Sequence, residues 1–238
     1  MSSSTGATGL RAPRRSGTVA ASCGRGLLPG LEARRVALAG LLFLLSGASA
    51  LVYQVAWQRI LALHSGVGLY SVAMIVAAFM AGLGIGSQLG GRLSARTGSL
   101  TALRLFALVE LAIGLFGAAS PFLYYDWLYP LASRLPSPSL RGGLAHLAAL
   151  LPPTLLMGMS LPLLVRAMLR DVSTAGRTIG YLYGINMLGA AAGAFAAPWL
   201  LLPWGGIPGA VGVAAAGNLL AGLGALLLQA RRLAPGAA

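Results

Sequence analysis

From Val36 onward the chain alternates long apolar runs with short polar breaks. A helix crossing a hydrocarbon core needs about 20 consecutive, mostly apolar residues. Six runs meet that length: 36–58, 70–91, 102–123, 144–168, 178–201 and 208–229. The pattern predicts an all-α fold, a polytopic transmembrane helix bundle of about six spans, occupying residues 35–238. Residues 1–34 are Ser, Gly, Thr, Arg and Pro without a sustained period and predict a disordered basic tail. In that tail Arg14-Arg15 has no apolar run close behind it, and Cys23 has none before it, so both are weak as export or lipidation signals. Arg34-Arg35, the run Val36–Leu45 and Ala48-Ser49-Ala50 follow the order of a cleavable signal peptide. The run continues through Leu51, Val52 and Val55, and it is read as the first span. Cleavage after Ala50 stays open as the alternative.

Composition narrows the class further. Of 238 residues, 57% are hydrophobic and only 9% are charged, against about 25% charged in soluble domains. The mean hydropathy is +0.81. So few charges exclude a soluble enzyme and a disordered chain, and a single Cys excludes a disulfide scaffold.

The charge that is present is lopsided: 17 basic residues, all Arg, against 4 acidic, for a net +13. Such a balance would suggest nucleic acid, but here the charges lie between apolar runs. With the N-terminus inside, Arg11, Arg14, Arg15, Arg25, Arg34, Arg35, Arg92, Arg96, Arg104, Arg166, Arg170, Arg177, Arg231 and Arg232 fall on the cytoplasmic side. Only Arg59, Arg134 and Arg141 fall outside, which is the positive-inside asymmetry. Both termini are then cytoplasmic, and the expected location is a bacterial inner (plasma) membrane, multi-pass. Tyr53, Trp57, Tyr70, Tyr124, Tyr125, Trp127, Tyr129, Trp199 and Trp204 form an expected outer aromatic belt, with Trp57, Gln58 and Arg59 marking the outer interface.

Chemistry inside the spans is sparse. Gly82, Gly86 and Gly90 recur at helical spacing in the second run, as do Gly180/Gly184 and Gly189/Gly193 in the fifth. They predict close helix packing. Gly82-Leu-Gly-Ile-Gly86 follows no strand and is not a nucleotide loop. Pro152, Pro153 and Pro162 can kink the fourth run. Glu110 is the one acidic residue deep in a run, where a charge costs roughly 2.5–3.5 kcal/mol on the insertion scale. It should face the bundle or be protonated. At ~1.5 Å per residue, Ser46, Gly82, Gly84, Ser160, Asn186 and Asn218 lie near its depth, with Gln88 slightly nearer the cytoplasm. Glu110, Asn186, Asn218, Ser160, Ser46 and Gln88 are therefore the candidate polar cluster. It is read either as a cavity opening to the cytoplasm or as hydrogen bonds that fix packing. No metal site, cofactor or catalytic residue is expected.

Four strings add a resemblance. They are Ser46–Arg59, the pair Ala78–Ser87 and Gly90–Leu93, Leu151–Leu164 and Gly180–Gly193. Together they resemble the membrane domain of the spermidine synthase-like membrane proteins, described as fused transporter/spermidine synthases. The resemblance covers about residues 36–230. It implies a neighbouring cytoplasmic aminopropyltransferase-like domain, whose catalytic residues carry over to no position here. Gly91–Gly98 is similar to a loop of major-facilitator transporters, with Ala95 where that loop is usually acidic. Six spans equal half such a transporter, often two inverted groups of three, and the glycine-rich second and fifth runs sit at corresponding places.

Three functions stay open on this reading. The first is a membrane subunit, non-catalytic by itself, that supports a cytoplasmic polyamine-type enzyme or handles its substrate or product. The second is a small dimeric secondary transporter with Glu110 as its cation or proton site. The third is a membrane scaffold. The expected partners are the lipid bilayer, an aminopropyltransferase-like enzyme and a second copy of the chain, with no nucleic acid.

Overall fold

The computed structural model describes residues 28–65, 69–132, 134, 138–169 and 171–233. Among them all regular structure is helical. The long helices are α1 (Leu28–Ser65), α2 (Leu69–Ala95), α3 (Ser99–Phe122), α5 (Pro138–Met168), α6 (Ala175–Ala196) and α7 (Leu202–Leu233). A π-helical turn, Leu123–Leu128, carries α3 into the single turn α4 (Tyr129–Ala132). Each apolar run falls on one long helix, the third and fifth continuing into π-helical turns. One expectation changes: residues 28–34, assigned to the disordered tail, form the start of α1. Pro29 sits in its first turn, where a missing N–H costs nothing. The rest of that tail lies outside the described residues.

Packing contacts give each helix a direction. Ser46 meets Glu110 and Trp57 meets Ser120, so α1 and α3 run parallel. Glu110 meets Ser160 and Tyr124 meets Ala149, so α5 runs against α3. Gly86 lies on Leu155 and Gly90 on Met159, so α2 runs with α5. Gly189 lies on Leu44 and Gly193 on Ala48, so α6 runs with α1. Gly217 lies on Ser49 and Gly224 on Leu42, so α7 runs against α1. Direction therefore alternates along the chain.

Among the described residues, five segments are long and apolar enough to cross a membrane. The last, Val172–Leu233, has 62 residues, about three times what one crossing needs. It contains a reversal, because α6 and α7 run in opposite directions. The non-helical residue there is Gly206, at φ 60° and ψ −166°, a region essentially restricted to glycine. The break between α5 and α6 is made differently. Asp171 Oδ1 accepts from Ser173 N–H at 3.1 Å, and Thr174 Oγ1 donates to the Asp171 carbonyl at 2.9 Å. The Ser173 bond holds the Asp171 carboxyl below its ordinary range.

The contacts also repeat. On one side Leu44, Gly47 and Ala48 of α1 meet Gly189, Asn186 and Gly193 of α6. On the other, Leu155, Gly158 and Met159 of α5 meet Gly86, Leu83 and Gly90 of α2, at the same spacings. Between them, Gly114 of α3 meets Ala215 and Leu219 of α7, while Gly222 of α7 meets Ala107 and Leu111 of α3. The triplet α1–α2–α3 thus corresponds to α5–α6–α7 with every helix inverted, and the relating axis passes between α3 and α7. Gly180 and Gly184 take no part in this: nothing lies within 4 Å of a Cβ built on either, so in the fifth run close packing is made by Gly189 and Gly193.

Candidate functional site

Glu110 sits mid-helix in α3 and is fully buried (0% exposed). A carboxylate withdrawn from water needs donors for its lone pairs. Three helices supply them. Ser46 Oγ of α1 donates to Oε1 at 2.8 Å, and Ser160 Oγ of α5 donates to the same oxygen at 2.9 Å. Asn218 Nδ2 of α7 donates to Oε2 at 2.6 Å. Ser46, Ser160 and Asn218 are themselves buried. The second amide atom, Asn218 Oδ1, is buried and has no partner.

The triplet correspondence gives this cluster a centre. Glu110 and Asn218 lie 108 residues apart, the same separation as Ala107/Ala215, Leu111/Leu219 and Gly114/Gly222. They are equivalent positions facing each other across the axis. Ser49, the counterpart of Ser160, is buried against Gly217, next to Asn218.

The structure gathers four of the six expected cluster residues. Gln88 is exposed on α2, away from Glu110. Asn186 lies against Gly47, beside Ser46, and makes no bond to Glu110. Depth arithmetic gives the height of a residue in the bundle but not the direction it faces, and these two share the height only. The Glu110 side chain has no exposed surface. Gly82, Gly86 and Gly90 do lie on α5, and Gly189 and Gly193 on α1, each approached by the neighbouring chain.

The outer interface is also rearranged. Gln58 is half-buried and Arg59 exposed, but Trp57 is fully buried rather than part of a belt facing out of the bundle. Its ring stacks on Tyr53 with centroids 4.7 Å apart, and its Nε1 donates to Ser120 Oγ at 2.8 Å. Phe116 and Tyr124 meet it edge-on, and Tyr124 Oη donates to the Ala149 carbonyl at 2.9 Å. Trp127, Trp199 and Trp204 are the tryptophans that remain exposed. These rings pack α1 and α3, with the π-helical turn and α5, toward one end of the bundle. At the arginine-rich end, Arg166 Nε donates to the Thr97 carbonyl at 2.9 Å and Arg232 Nη1 to the Ala167 carbonyl at 3.1 Å. Trp57→Phe is expected to cost about 0.5–1.5 kcal/mol, the worth of its one hydrogen bond. Thermal unfolding in detergent measures it.

The sequence reading matched the second and fifth runs as counterparts but missed the residue correspondence that centres the site. Its signal is short. Leu44-Leu45-Ser46-Gly47-Ala48-Ser49 matches Leu155-Leu156-Met157-Gly158-Met159-Ser160, and Glu110-Leu-Ala-Ile-Gly114 matches Asn218-Leu-Leu-Ala-Gly222. In each case one or two polar residues are exchanged inside an apolar context that many helices share.

Fold and site together define an all-helical bundle with several segments apolar enough for a membrane and one buried carboxyl at its centre. Comparison with known proteins adds a chemical association. Over 202 residues the chain is 34% identical to the polyamine aminopropyltransferase of Corynebacterium efficiens, covering 76% of this chain and 34% of that protein. It is 33% identical over 180 residues to the polyamine aminopropyltransferases of Mycobacterium tuberculosis and Mycobacterium bovis, covering 71% of this chain and 32% of theirs. The chain thus spans about a third of the length of the curated relatives it matches. No family model and no solved structure matches it.

Proposed function

We propose that this chain is the integral membrane part of a polyamine aminopropyltransferase-type system. It crosses the inner membrane six times, with both termini cytoplasmic, and resembles half of a major-facilitator transporter. Aminopropyl transfer itself belongs to a cytoplasmic enzyme domain, joined to this sequence or separate from it. The membrane part recruits that enzyme or handles its small-molecule substrate or product. The observation that carries this reading is the similarity to proteins named polyamine aminopropyltransferase over most of the helical region. The ends of α2, α5 and α7 hold Arg92, Arg166, Arg231 and Arg232 in their last turns, a basic face suited to anionic headgroups or an acidic enzyme surface.

Affinity purification of the intact protein from its native membrane tests this. An aminopropyltransferase should accompany it or be fused to it, and loss of the membrane part should alter cellular polyamine content or distribution. Unchanged polyamines in a deletion strain, together with no associated aminopropyltransferase, would defeat the reading.

A further inference from the structure

Polar atoms of four buried side chains converge at the axis: both Glu110 carboxylate oxygens, the Ser46 and Ser160 hydroxyl oxygens and the Asn218 amide nitrogen. We propose that these four residues bind one monovalent cation, a sodium ion or a proton. The proposal is independent of the polyamine reading.

The argument begins with charge. Among the described residues, the groups bonded to Glu110 are two hydroxyls and an amide, all neutral. Neutral donors satisfy its lone pairs but leave its charge uncompensated in an apolar interior. One carboxylate balances one positive charge. A divalent ion would leave a net charge at the same place.

Ligand chemistry agrees. Hard cations take oxygen ligands, and every side chain in the cluster carries one. Asn218 Oδ1 is the telling atom, an acceptor buried without a donor in a residue only 1% exposed. Turning that amide over exchanges Nδ2 for Oδ1 beside Glu110 Oε2. The oxygen can then accept a proton held on Oε2 or coordinate a metal cation next to it. Ser46 and Ser160 can rotate their hydroxyl hydrogens away and offer lone pairs. No backbone change is needed for any of these steps.

Position supplies the third line. Ser46 and Glu110 come from one helix triplet, and Ser160 and Asn218 from its inverted counterpart. Any rocking of one triplet against the other changes the donor set around the cation. Ion sites at the interface of inverted repeats, near the bilayer midplane, are how secondary transporters couple binding to movement. Glu110 and Asn218 are buried, at 0% and 1% exposed. Ion entry therefore requires the helices around them to part.

The test uses the full chain, purified in detergent. Thermal unfolding is followed while NaCl replaces choline chloride at constant ionic strength, and infrared difference spectra follow the protonated-carboxyl band across pH. A saturable, sodium-specific rise in Tm identifies sodium. A titrating carboxyl band with no sodium effect identifies the proton. Either signal should disappear in Glu110→Gln. The same sodium response and the same carboxyl band in wild type and Glu110→Gln overturn the proposal. Should Glu110→Gln fail to fold, Ser160→Ala keeps the carboxylate and removes one oxygen. It should weaken sodium affinity, or displace the titration, by about tenfold, and an unchanged midpoint overturns the proposal equally. Neither readout involves polyamines or an enzyme, so failure here leaves the proposed function standing.

Discussion

Asn218→Leu is expected to destabilise the bundle by about 1.5–3 kcal/mol, the range for a lost hydrogen bond to a charged group. The variant removes the Nδ2 donor from Glu110 Oε2 and leaves that oxygen buried. Adding Glu110→Met to the same chain should return most of the loss. A polar group stranded by the removal of its partner bears the full desolvation cost, whereas replacing both partners by apolar groups of similar shape is close to neutral. The Ser46 and Ser160 hydroxyls released in the double variant can donate to carbonyls of their own helices. Thermal or denaturant unfolding of the four proteins in detergent forms a double-mutant cycle. Additive losses would mean that Glu110 and Asn218 are not coupled.

The second large effect concerns the glycine seams. Gly86→Ala and Gly189→Ala should each cost about 1–3 kcal/mol, the usual cost of overpacking. A Cβ at Gly86 meets the Leu155 carbonyl oxygen, and one at Gly189 meets the Leu44 carbonyl oxygen. Backbone atoms cannot rotate aside as a side chain can, so the helices must separate. Gly84 shares the same helix but has nothing within 4 Å of its would-be Cβ. Gly84→Ala should stay within about 0.5 kcal/mol of wild type. Because Gly86 and Gly189 occupy equivalent places in the two triplets, their losses should be similar. A silent Gly86→Ala would contradict the α2–α5 seam, and unequal losses would weaken the inverted correspondence.

The candidate site was partly legible before the fold. An acidic residue in the middle of an apolar run must turn inward or lose its charge, so Glu110 marked itself. Counting residues from helix ends placed Ser46, Ser160 and Asn218 at its level. The same count placed Asn186 and Gln88 there too, and the structure separates these two from it. Asn186 faces Gly47, and Gln88 faces out of the bundle. The difference lies in azimuth, which a small polar residue in an all-apolar helix does not encode. Trp57 fails in the same way: its level along α1 was readable, but its turn inward onto Ser120 was not.

The sequence alone determined the helices, their number and their approximate lengths, and the concentration of arginine at one side. Those are properties of consecutive residues: an apolar run either is or is not long enough, and charges either interrupt it or do not. Tertiary structure decided the pairing of α1 with α6 and α2 with α5, the residue-by-residue register of the two inverted triplets, and the meeting of Glu110 with Asn218 on their axis. These depend on which glycine face meets which backbone, a choice made by packing between helices far apart in the chain. Hydropathy is nearly uniform around each helix and carries no record of it.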